Sequence, residues 1–345
     1  MPVPLRRYRA AVAVPDPSES FPSETAPTPP VNAESGGGRA LSRFGGLFRE
    51  HRFYESSAAK SAYRGLRRGA SRVGLDVVAR TFYSPIPDLE RLPADTFARV
   101  SELPGIAWDL DAQLEFVRSR LATAMLAFRP EAERGPVSGR YAPNPSYNLA
   151  DAAVLYAMVR AMRPRRIVEL GSGHSTLVMA QAAVENAAEG HPVELEAFDP
   201  YPGVARPGLA GLSRLERLVA QDVPLSTFEK LESGDVLFVD TTHTVKIGSD
   251  ANFIVLDVLP RLAPGVIVHL HDIFLPYEYP RAWLEDYGLY WTEQYLVQAF
   301  LTFNAAYEII AAVHALQRER LTALRPLMPE GAGDLPGGAF WIRRT

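Results

Sequence analysis

The chain has 345 residues, of which 47% are hydrophobic, so it can bury the core of one large domain with appendages or of two small domains. Its formal net charge of -4 provides no overall basic field for nucleic acid or an anionic membrane, and we expect neither as a partner. The absence of cysteine excludes disulfides, zinc thiolate sites and cysteine nucleophiles, and makes the reducing cytoplasm the default location. No apolar run approaches the roughly 20 residues that span a bilayer.

The N-terminal part of the chain has a different composition from the rest. Residues 1–46 are rich in Pro, Ser and Gly, and they predict a disordered leader because they offer little apolar surface to offset the entropy of ordering. Residues 47–145 are predicted to form a helical and extended cap, with ordered structure from about Thr81, and residues 146–345 to form the main domain. The basic stretch from Arg64 to Arg72 favours a solvated helix face over a surface for an acidic partner.

Strands and helices alternate in the second half of the chain. Two amphipathic helices are predicted first, at Leu110 to Phe128 and Asn148 to Met162. The predicted strands are Arg166 to Leu170, Val193 to Phe198, Leu215 to Ala220, Asp235 to Asp240, Gly265 to Leu270, Tyr307 to Ala312 and Ala339 to Ile342. The predicted helices among them are Ser175 to Asn186, Ser249 to Leu262, Arg281 to Tyr287 and Thr292 to Phe303. This order predicts an α/β fold with a parallel sheet, helices on both faces, and ligands at the carboxyl ends of the strands.

The turn after the first of these strands is rich in glycine. Gly171 and Gly173 lack side chains, so the turn can tighten and its backbone can approach a ligand closely. The next helix begins near Ser175-Thr176, which can cap it and leave amide donors facing the ligand. The G-x-G-x-x-G pattern of nicotinamide dehydrogenases fails at its third glycine, where Thr176 stands. Dinucleotide folds also usually have an apolar residue at the position of Glu169, whose carboxylate suits a cationic sulfonium.

Acids end the second and third predicted strands. At the position of Asp199 a carboxylate can accept hydrogen bonds from both hydroxyls of a ribose. At the position of Asp222 an acid can meet an adenine amino group. The alternative is that both are turn acids, since they precede Pro200 and Pro224 closely. Together with the glycine turn they predict a nucleotide-type site at the carboxyl end of the sheet.

The segment from Ile167 to Thr176, IVELGSGHST, resembles the first motif of class I S-adenosylmethionine-dependent methyltransferases. The resemblance runs from about Thr81 to the C-terminus, and it is closer to a bacterial methyltransferase-like subgroup through YSPIP at 83–87, FVDTTH at 238–243 and HLHDIFLP at 269–276. It implies a Rossmann-like sheet of seven strands, mostly parallel, with an antiparallel last strand. The cofactor contacts predicted for S-adenosylmethionine are Glu169, Gly171, Ser172, Gly173, Ser175, Asp199, Asp222 and Asp240.

A second group of polar residues follows the fourth and fifth predicted strands. Because adjacent parallel strands lie about 4.8 Å apart, Asp240, His243, His271 and Asp272 can converge above the methyl group of the cofactor. Such oxygen and imidazole ligands suit Mg²⁺, Mn²⁺ or another divalent ion. In the metal-dependent O-methyltransferases that the chain resembles, acids at these strand ends hold the metal, which implies Asp240, His271 and Asp272 as ligands here. Without a metal, His243 or His271 is the expected general base, and the predicted catalytic residues are His243, His271 and Asp272. His269 is expected to pack in the sheet.

Proline and aromatic residues dominate an insertion at about residues 274–303. Two interpretations stay open: the aromatic side chains cover the acceptor as a lid, or they pack the insertion onto the sheet. The residues concerned are Phe274, Tyr277, Tyr279, Trp283, Tyr290, Trp291 and Tyr295. Tyr83 and Tyr147 are candidates for closing the site from the N-terminal side. Lys246 is a candidate contact for an anionic substrate, with a surface ion pair as the alternative.

The favoured function is methyl transfer from S-adenosylmethionine to a hydroxyl oxygen of a small molecule or sugar, with or without a divalent ion. The main demand of this reaction is the positioning of donor and acceptor in a dry site. One alternative is a Rossmann-type NAD(P)-dependent oxidoreductase, which Thr176 and Glu169 disfavour. The other is a nucleotide-binding module without catalysis. A small-molecule acceptor is the expected partner, and no oligomeric state is indicated.

Overall fold

The computed structural model describes residues 57–131, 139–332 and 336–345, so the predicted leader lies outside the described residues. The chain divides into two compact units, Met1–Pro93 and Ala94–Thr345. The division into leader, cap and main domain that the sequence suggests stays a prediction.

The described part of the first unit contains helix α1 (Ser57–Ser71) and a short 3-10 turn at Leu89–Arg91. No side chain of α1 is buried, which agrees with the interpretation of its arginines as a solvated face. The Tyr63 hydroxyl donates to the carbonyl of Val77 at 3.1 Å and so ties the following segment to the helix. Helical structure begins at Ser57, well before Thr81, because the alanines and arginines of this stretch are good helix formers.

The second unit is built on a seven-stranded sheet with the order β3-β2-β1-β4-β5-β7-β6. The strands are β1 (Arg166–Leu170), β2 (Glu194–Phe198), β3 (Arg214–Glu216), β4 (Val236–Val239), β5 (Ile267–Leu270), β6 (Tyr307–Ala312) and β7 (Phe340–Arg344). The first five strands pair in parallel, and β7 lies antiparallel between β5 and β6. The predicted fold class, a mostly parallel seven-stranded sheet with an antiparallel last strand, is confirmed.

Helices flank this sheet. They are α2 (Leu110–Phe116), α3 (Ala122–Ala127), α4 (Leu149–Met162), α5 (His174–Ala188), α6 (Leu225–Glu229), α7 (Asp250–Phe253), α8 (Arg281–Glu285), α9 (Glu293–Leu301) and α10 (Val313–Leu324). A π-helical turn at Val117–Leu121 joins α2 to α3, so the predicted helix over 110–128 is continuous. Among the described residues, no helix combines the length and apolar character needed to cross a membrane.

The central strands β4 and β5 are buried along their whole length, as expected for parallel strands covered on both sides. The edge strand β3 is shorter than predicted. It pairs over three residues only, and the chain then forms a 3-10 turn at Ala220–Asp222. Asp222 therefore lies exposed in a turn beyond the strand rather than at its end. An edge strand is paired on one side alone, so the chain can leave the sheet early.

The carboxyl ends of β1 and β4 approach so closely that only glycine fits at Gly171. This residue has a φ of +83°, and a Cβ there would lie 1.7 Å from the carbonyl oxygen of Asp240. The Asp240 amide in turn donates to the carbonyl of Leu170 at 2.9 Å. A Cβ on Gly173 would meet nothing within 4 Å, so its side of the turn is open. The fold thus places the glycine turn directly against the residues that follow β4.

Candidate functional site

The glycine turn and the acid at the end of β2 form one hydrogen-bonded unit. The Oδ2 atom of Asp199 accepts from the backbone N–H of Ser172 at 2.7 Å and from its hydroxyl at 3.0 Å. The Oδ1 atom accepts from the amide of Tyr201 at 2.6 Å. Because a carboxylate oxygen can accept more than one hydrogen bond, Asp199 keeps capacity for a ligand hydroxyl. The structure brings Ser172 and Asp199 together, as the sequence predicts.

Glu169 has a different environment from the one that its place in the motif suggests. Its carboxylate is fully buried and accepts hydrogen bonds from the hydroxyls of Ser175 at 2.7 Å and Thr176 at 2.8 Å. The Thr176 hydroxyl also accepts from the amide of Gly173 at 3.0 Å. Burial raises the pKa of Glu169 to about 8, although the two hydroxyl groups oppose this. Glu169 therefore fixes the start of α5, and through Thr176 it also fixes the glycine turn. Its contact with a cofactor stays a prediction.

The loops after β3 and β4 contact each other. The side chain of Gln221 donates to the carbonyl of Gly248 at 2.8 Å. Asp222 and Lys246, on these two loops, are both exposed. The proposed contacts of Asp222 with adenine and of Lys246 with a substrate stay predictions.

Asp240, His243 and Asp272 form a compact cluster at the carboxyl ends of β4 and β5. One potential ligand atom from each residue lies within 4.8 Å of the others. The Nε2 atom of His243 is 3.2 Å from Asp240 Oδ1 and 3.7 Å from Asp272 Oδ2. His243 and Asp272 both have left-handed backbone conformations, with φ of +54° and +53°. Such conformations are costly for residues other than glycine, and they concentrate at functional sites.

His271 lies beside this cluster rather than in it. Its Nε2 atom is 3.7 Å from Asp272 Oδ1, and its ring stacks on Tyr147 with 4.9 Å between the centroids. Of the two histidines, His243 is the one whose ring nitrogen lies near both Asp240 and Asp272. The assignment of His271 as a metal ligand stays a prediction. The ring contact with His271 places Tyr147 beside the cluster. Tyr83, the other tyrosine singled out, belongs to the first unit and is 72% exposed.

His269 lies one layer deeper on the same strand. It is fully buried, stacks on Phe238 with 4.2 Å between the centroids and contacts Trp341 at a tilt with 4.5 Å between the centroids. Burial lowers the pKa of His269 well below its usual range, so the imidazole is neutral. The prediction that this histidine packs in the sheet is confirmed.

Helix α9 supplies a residue that the sequence did not single out. The buried carboxylate of Glu293 lies with its Oε2 atom 2.9 Å from His243 Nδ1. The amides of Thr292 and Glu293 also donate to the carbonyl of His243, at 2.9 and 3.1 Å. The Thr292 hydroxyl accepts from the amide of Val245 at 2.8 Å. The only sequence signal is an acid in the first turn of a predicted helix, which usually complements the helix dipole alone.

The electrostatics of the cluster favour a bound cation. Burial opposes ionisation of Asp240, but His271 and His243 outweigh it and lower the pKa of Asp240 to about 2. Burial raises the pKa of Asp272. Burial also opposes protonation of His243, yet its hydrogen bonds to Asp240 and Glu293 raise its pKa well above the usual range. The imidazole is thus held as a cation by surrounding carboxylates, and a divalent ion bound between the acids would replace its Nε2 proton.

The aromatic residues of the insertion pack over His243. Trp291 contacts the His243 ring with 4.4 Å between the centroids, and Trp283 packs edge-on against Trp291 at 5.0 Å. Phe274 and Tyr279 are each only 3% exposed. For these two residues the packing interpretation holds, whereas Trp291 remains the candidate to cover an acceptor.

The central part of the chain matches a known enzyme family. Residues 168–273, from β1 to just past β5, match the family described as a methyltransferase domain. An uncharacterized protein of Archaeoglobus fulgidus is 32% identical over 160 residues, which cover 44% of this chain and 72% of that protein. The chain belongs to one family with this archaeal protein. Together with the seven-stranded fold, the domain match indicates that the chain is an enzyme with a methyltransferase domain.

Solved structures of CmcI also align with the chain. The SAH form and the Mg-SAM form are each 16% identical, with a TM-score of 0.35, and cover 76% of this chain. The alignments cover 98% and 90% of those two chains.

The substitution Glu169→Gln should change how stability depends on pH. Since burial raises the pKa of Glu169 from 4.5 to about 8, the folded chain keeps a proton that the unfolded chain loses. The stabilisation of the protonated form is complete below the unfolded pKa and is lost as pH rises through the folded pKa. The free energy of unfolding of the wild type relative to the Gln variant should therefore fall between these values, by up to about 1.4 kcal/mol per pH unit. Urea denaturation at a series of pH values measures it, and a constant difference would contradict the assignment.

The substitution Glu293→Gln should lower the pKa of His243 in the protein treated with a chelator. The amide keeps the size of the side chain and an acceptor for Nδ1, but it removes a negative charge that raises the pKa. Histidine ring proton shifts in an NMR titration report the change. Glu278→Gln is the matched control, because Glu278 lies in the same insertion and accepts instead from Gln294. Equal His243 titration in both variants would refute the role of Glu293.

Proposed function

We propose that the enzyme transfers the methyl group of S-adenosylmethionine to a hydroxyl oxygen of a small molecule or sugar, with a divalent ion held by Asp240, His243 and Asp272. The observation that carries the proposal is this three-residue cluster directly beside the glycine turn. Gly171 packs on the backbone of Asp240, so a cofactor on the turn and an acceptor at the cluster would be neighbours.

The cofactor is assigned to the turn on three features. The open side of Gly173 lets a ligand approach the backbone, and the amides at the start of α5 favour the polar end of a ligand. Asp199 is held by Ser172 in an orientation suited to ribose hydroxyls.

The donor set fits a divalent ion. Two carboxylates and one imidazole suit Mn²⁺ or a similar transition ion at least as well as Mg²⁺, because Mg²⁺ prefers oxygen ligands. Glu293 holds His243 Nδ1 and so directs Nε2 towards the two acids, as carboxylates commonly do behind histidine ligands. When bound, such an ion supplies a Lewis acid that lowers the pKa of a hydroxyl group.

We assign His271 as the general base that accepts the proton of the acceptor hydroxyl. Both ring nitrogens of His243 are engaged, by Glu293 and by Asp240, whereas His271 has its Nε2 atom near Asp272 without a hydrogen bond to it. Trp291 lies over His243 and keeps water away from the reacting groups. The remaining task, alignment of sulfur, methyl and oxygen, falls to the glycine turn and the cluster together.

Binding and transfer measured on two variants test this assignment. Calorimetric titration should show micromolar affinity for S-adenosylhomocysteine and none for NADH. Asp199→Asn should weaken that affinity about tenfold or more, because a charged hydrogen-bond acceptor is lost. Asp272→Asn should keep the affinity within about twofold and lower methyl transfer at least 100-fold or so, because transition-state groups are disturbed while the cofactor turn is not. Asp257→Asn, an exposed acid on the same unit, is the control.

The structure of the methylated product identifies the acceptor atom. A screen of hydroxylated small molecules and sugars with ¹³C-methyl-labelled S-adenosylmethionine should give a methyl ether, seen by its carbon chemical shift. A methylated nitrogen or carbon would contradict O-methylation. Failure of the wild type to bind S-adenosylhomocysteine would contradict the cofactor site itself.

A further inference from the structure

Asp151, near the start of α4, is a buried carboxylate with an unusual set of partners. Its Oδ2 atom accepts from the amide of Gly338 at 2.9 Å, and its Oδ1 atom accepts from the amide of Ala339 at 3.0 Å. The side chain of Asn148 donates to Oδ2 at 2.8 Å. Residue 151 is only 1% exposed. The two backbone amides that it binds lie 187 and 188 residues along the chain, so the carboxylate does more than stabilise its own helix.

The segment that Asp151 holds, residues 336–339, leads into β7 and is called the backing segment here. Other side chains bind its backbone as well. Asn148 donates to the carbonyl of Pro336 at 3.2 Å, and Gln317 accepts from the amide of Gly337 at 2.6 Å. Buried backbone groups need hydrogen-bond partners. In β7 the neighbouring strands supply them, and in the backing segment these side chains do.

The backing segment lies directly against Asp272. A Cβ on Gly338 would be 2.7 Å from Asp272 Oδ1 and 3.0 Å from its Cα. The carbonyl of Gly338 also accepts from the amide of Ile273 at 3.1 Å. Asp272 has the left-handed backbone conformation already described, so it needs support from its surroundings. A displacement of the backing segment would move the Asp272 carboxylate relative to His243.

We propose that Asp151 is a positioning residue for Asp272, acting through the backing segment. The inference rests on the proposed role of Asp272 as a metal ligand. We assign Asp151 no part in the chemistry itself, because its carboxylate is buried and binds the backing segment rather than the cluster. Its carboxylate fixes the position of Gly338, and Gly338 fixes the orientation of Asp272 towards Asp240 and His243.

Asp235 provides a matched control at the opposite end of the sheet. It too is a buried carboxylate that accepts three hydrogen bonds, from the amides of Arg165 at 3.0 Å, Arg166 at 2.9 Å and Glu232 at 2.9 Å. Asp235 precedes β4, whereas the cluster follows it, so the control tests the structural cost of losing such a carboxylate without touching the site.

The experiment compares Asp151→Asn with Asp235→Asn in the full chain, using Mn²⁺ affinity measured by electron paramagnetic resonance. Both variants should lose stability in urea denaturation, because an amide cannot accept at both atoms. Asp151→Asn should weaken Mn²⁺ binding about 10- to 100-fold, the usual effect of removing support behind a ligand, while Asp235→Asn should stay within about twofold of the wild type. Binding of S-adenosylhomocysteine should be unchanged in both.

Gly338→Ala tests the same link without altering Asp151. The added methyl group meets Asp272 Oδ1, and Mn²⁺ affinity should fall, whereas Gly203→Ala, where a Cβ meets nothing within 4 Å and φ is not positive, should leave it unchanged. If Asp151→Asn does not fold, the Mn²⁺ affinities of Gly338→Ala and its control test the inference. Equal Mn²⁺ affinity in test and control variants overturns the inference alone. Failure of the wild type to bind Mn²⁺ while it binds S-adenosylhomocysteine overturns the proposed metal site and this inference with it.

Discussion

The site depends on the hydrogen bonds between the start of helix α9 and His243. The start of α9 donates two amide hydrogen bonds to the His243 carbonyl and places the Glu293 carboxylate against Nδ1 of His243. Without these bonds a buried imidazole would have an unpaired nitrogen, and nothing would offset a left-handed conformation that costs roughly 1–3 kcal/mol. Because Nδ1 is fixed, Nε2 faces Asp240 and Asp272, and the loops after β4 and β5 form one cluster. The aromatic insertion that carries α9 is therefore part of the site, and not only a cover for it.

Two residues at neighbouring strand ends have a left-handed backbone and are supported by a buried carboxylate. His243 follows β4, Asp272 follows β5, and both have positive φ. Glu293 supports the first, and in our proposal Asp151 supports the second through the backing segment. Groups held in this way lose little freedom when a ligand binds, and such preorganisation is what a transfer reaction requires. The glycine turn is joined to the same structure through the contact of Gly171 with Asp240.

The sheet, the glycine turn and the acids that follow the strands were predictable because their signals are local. A buried strand is a short apolar run, and a glycine or acid directly after it identifies the carboxyl end of the sheet. The convergence of His243 with Asp240 and Asp272 was predicted, but the position of His271 beside this cluster was not, because it depends on a left-handed conformation at a residue other than glycine. Glu293 was missed because it lies 50 residues from its partner, and a single sequence contains no signal for such pairings. The early end of β3 reflects its edge position, which the pattern of residues does not reveal.

The most direct test of the central claim is anomalous diffraction from crystals grown with Mn²⁺ and S-adenosylhomocysteine. We expect one strong peak at coordination distance, about 2.0–2.3 Å, from a carboxylate oxygen of Asp240, a carboxylate oxygen of Asp272 and Nε2 of His243. Glu293 should remain on Nδ1 of the same imidazole. A peak bound by His271 in place of His243, or a cofactor bound to the glycine turn with no metal at the cluster, would contradict it.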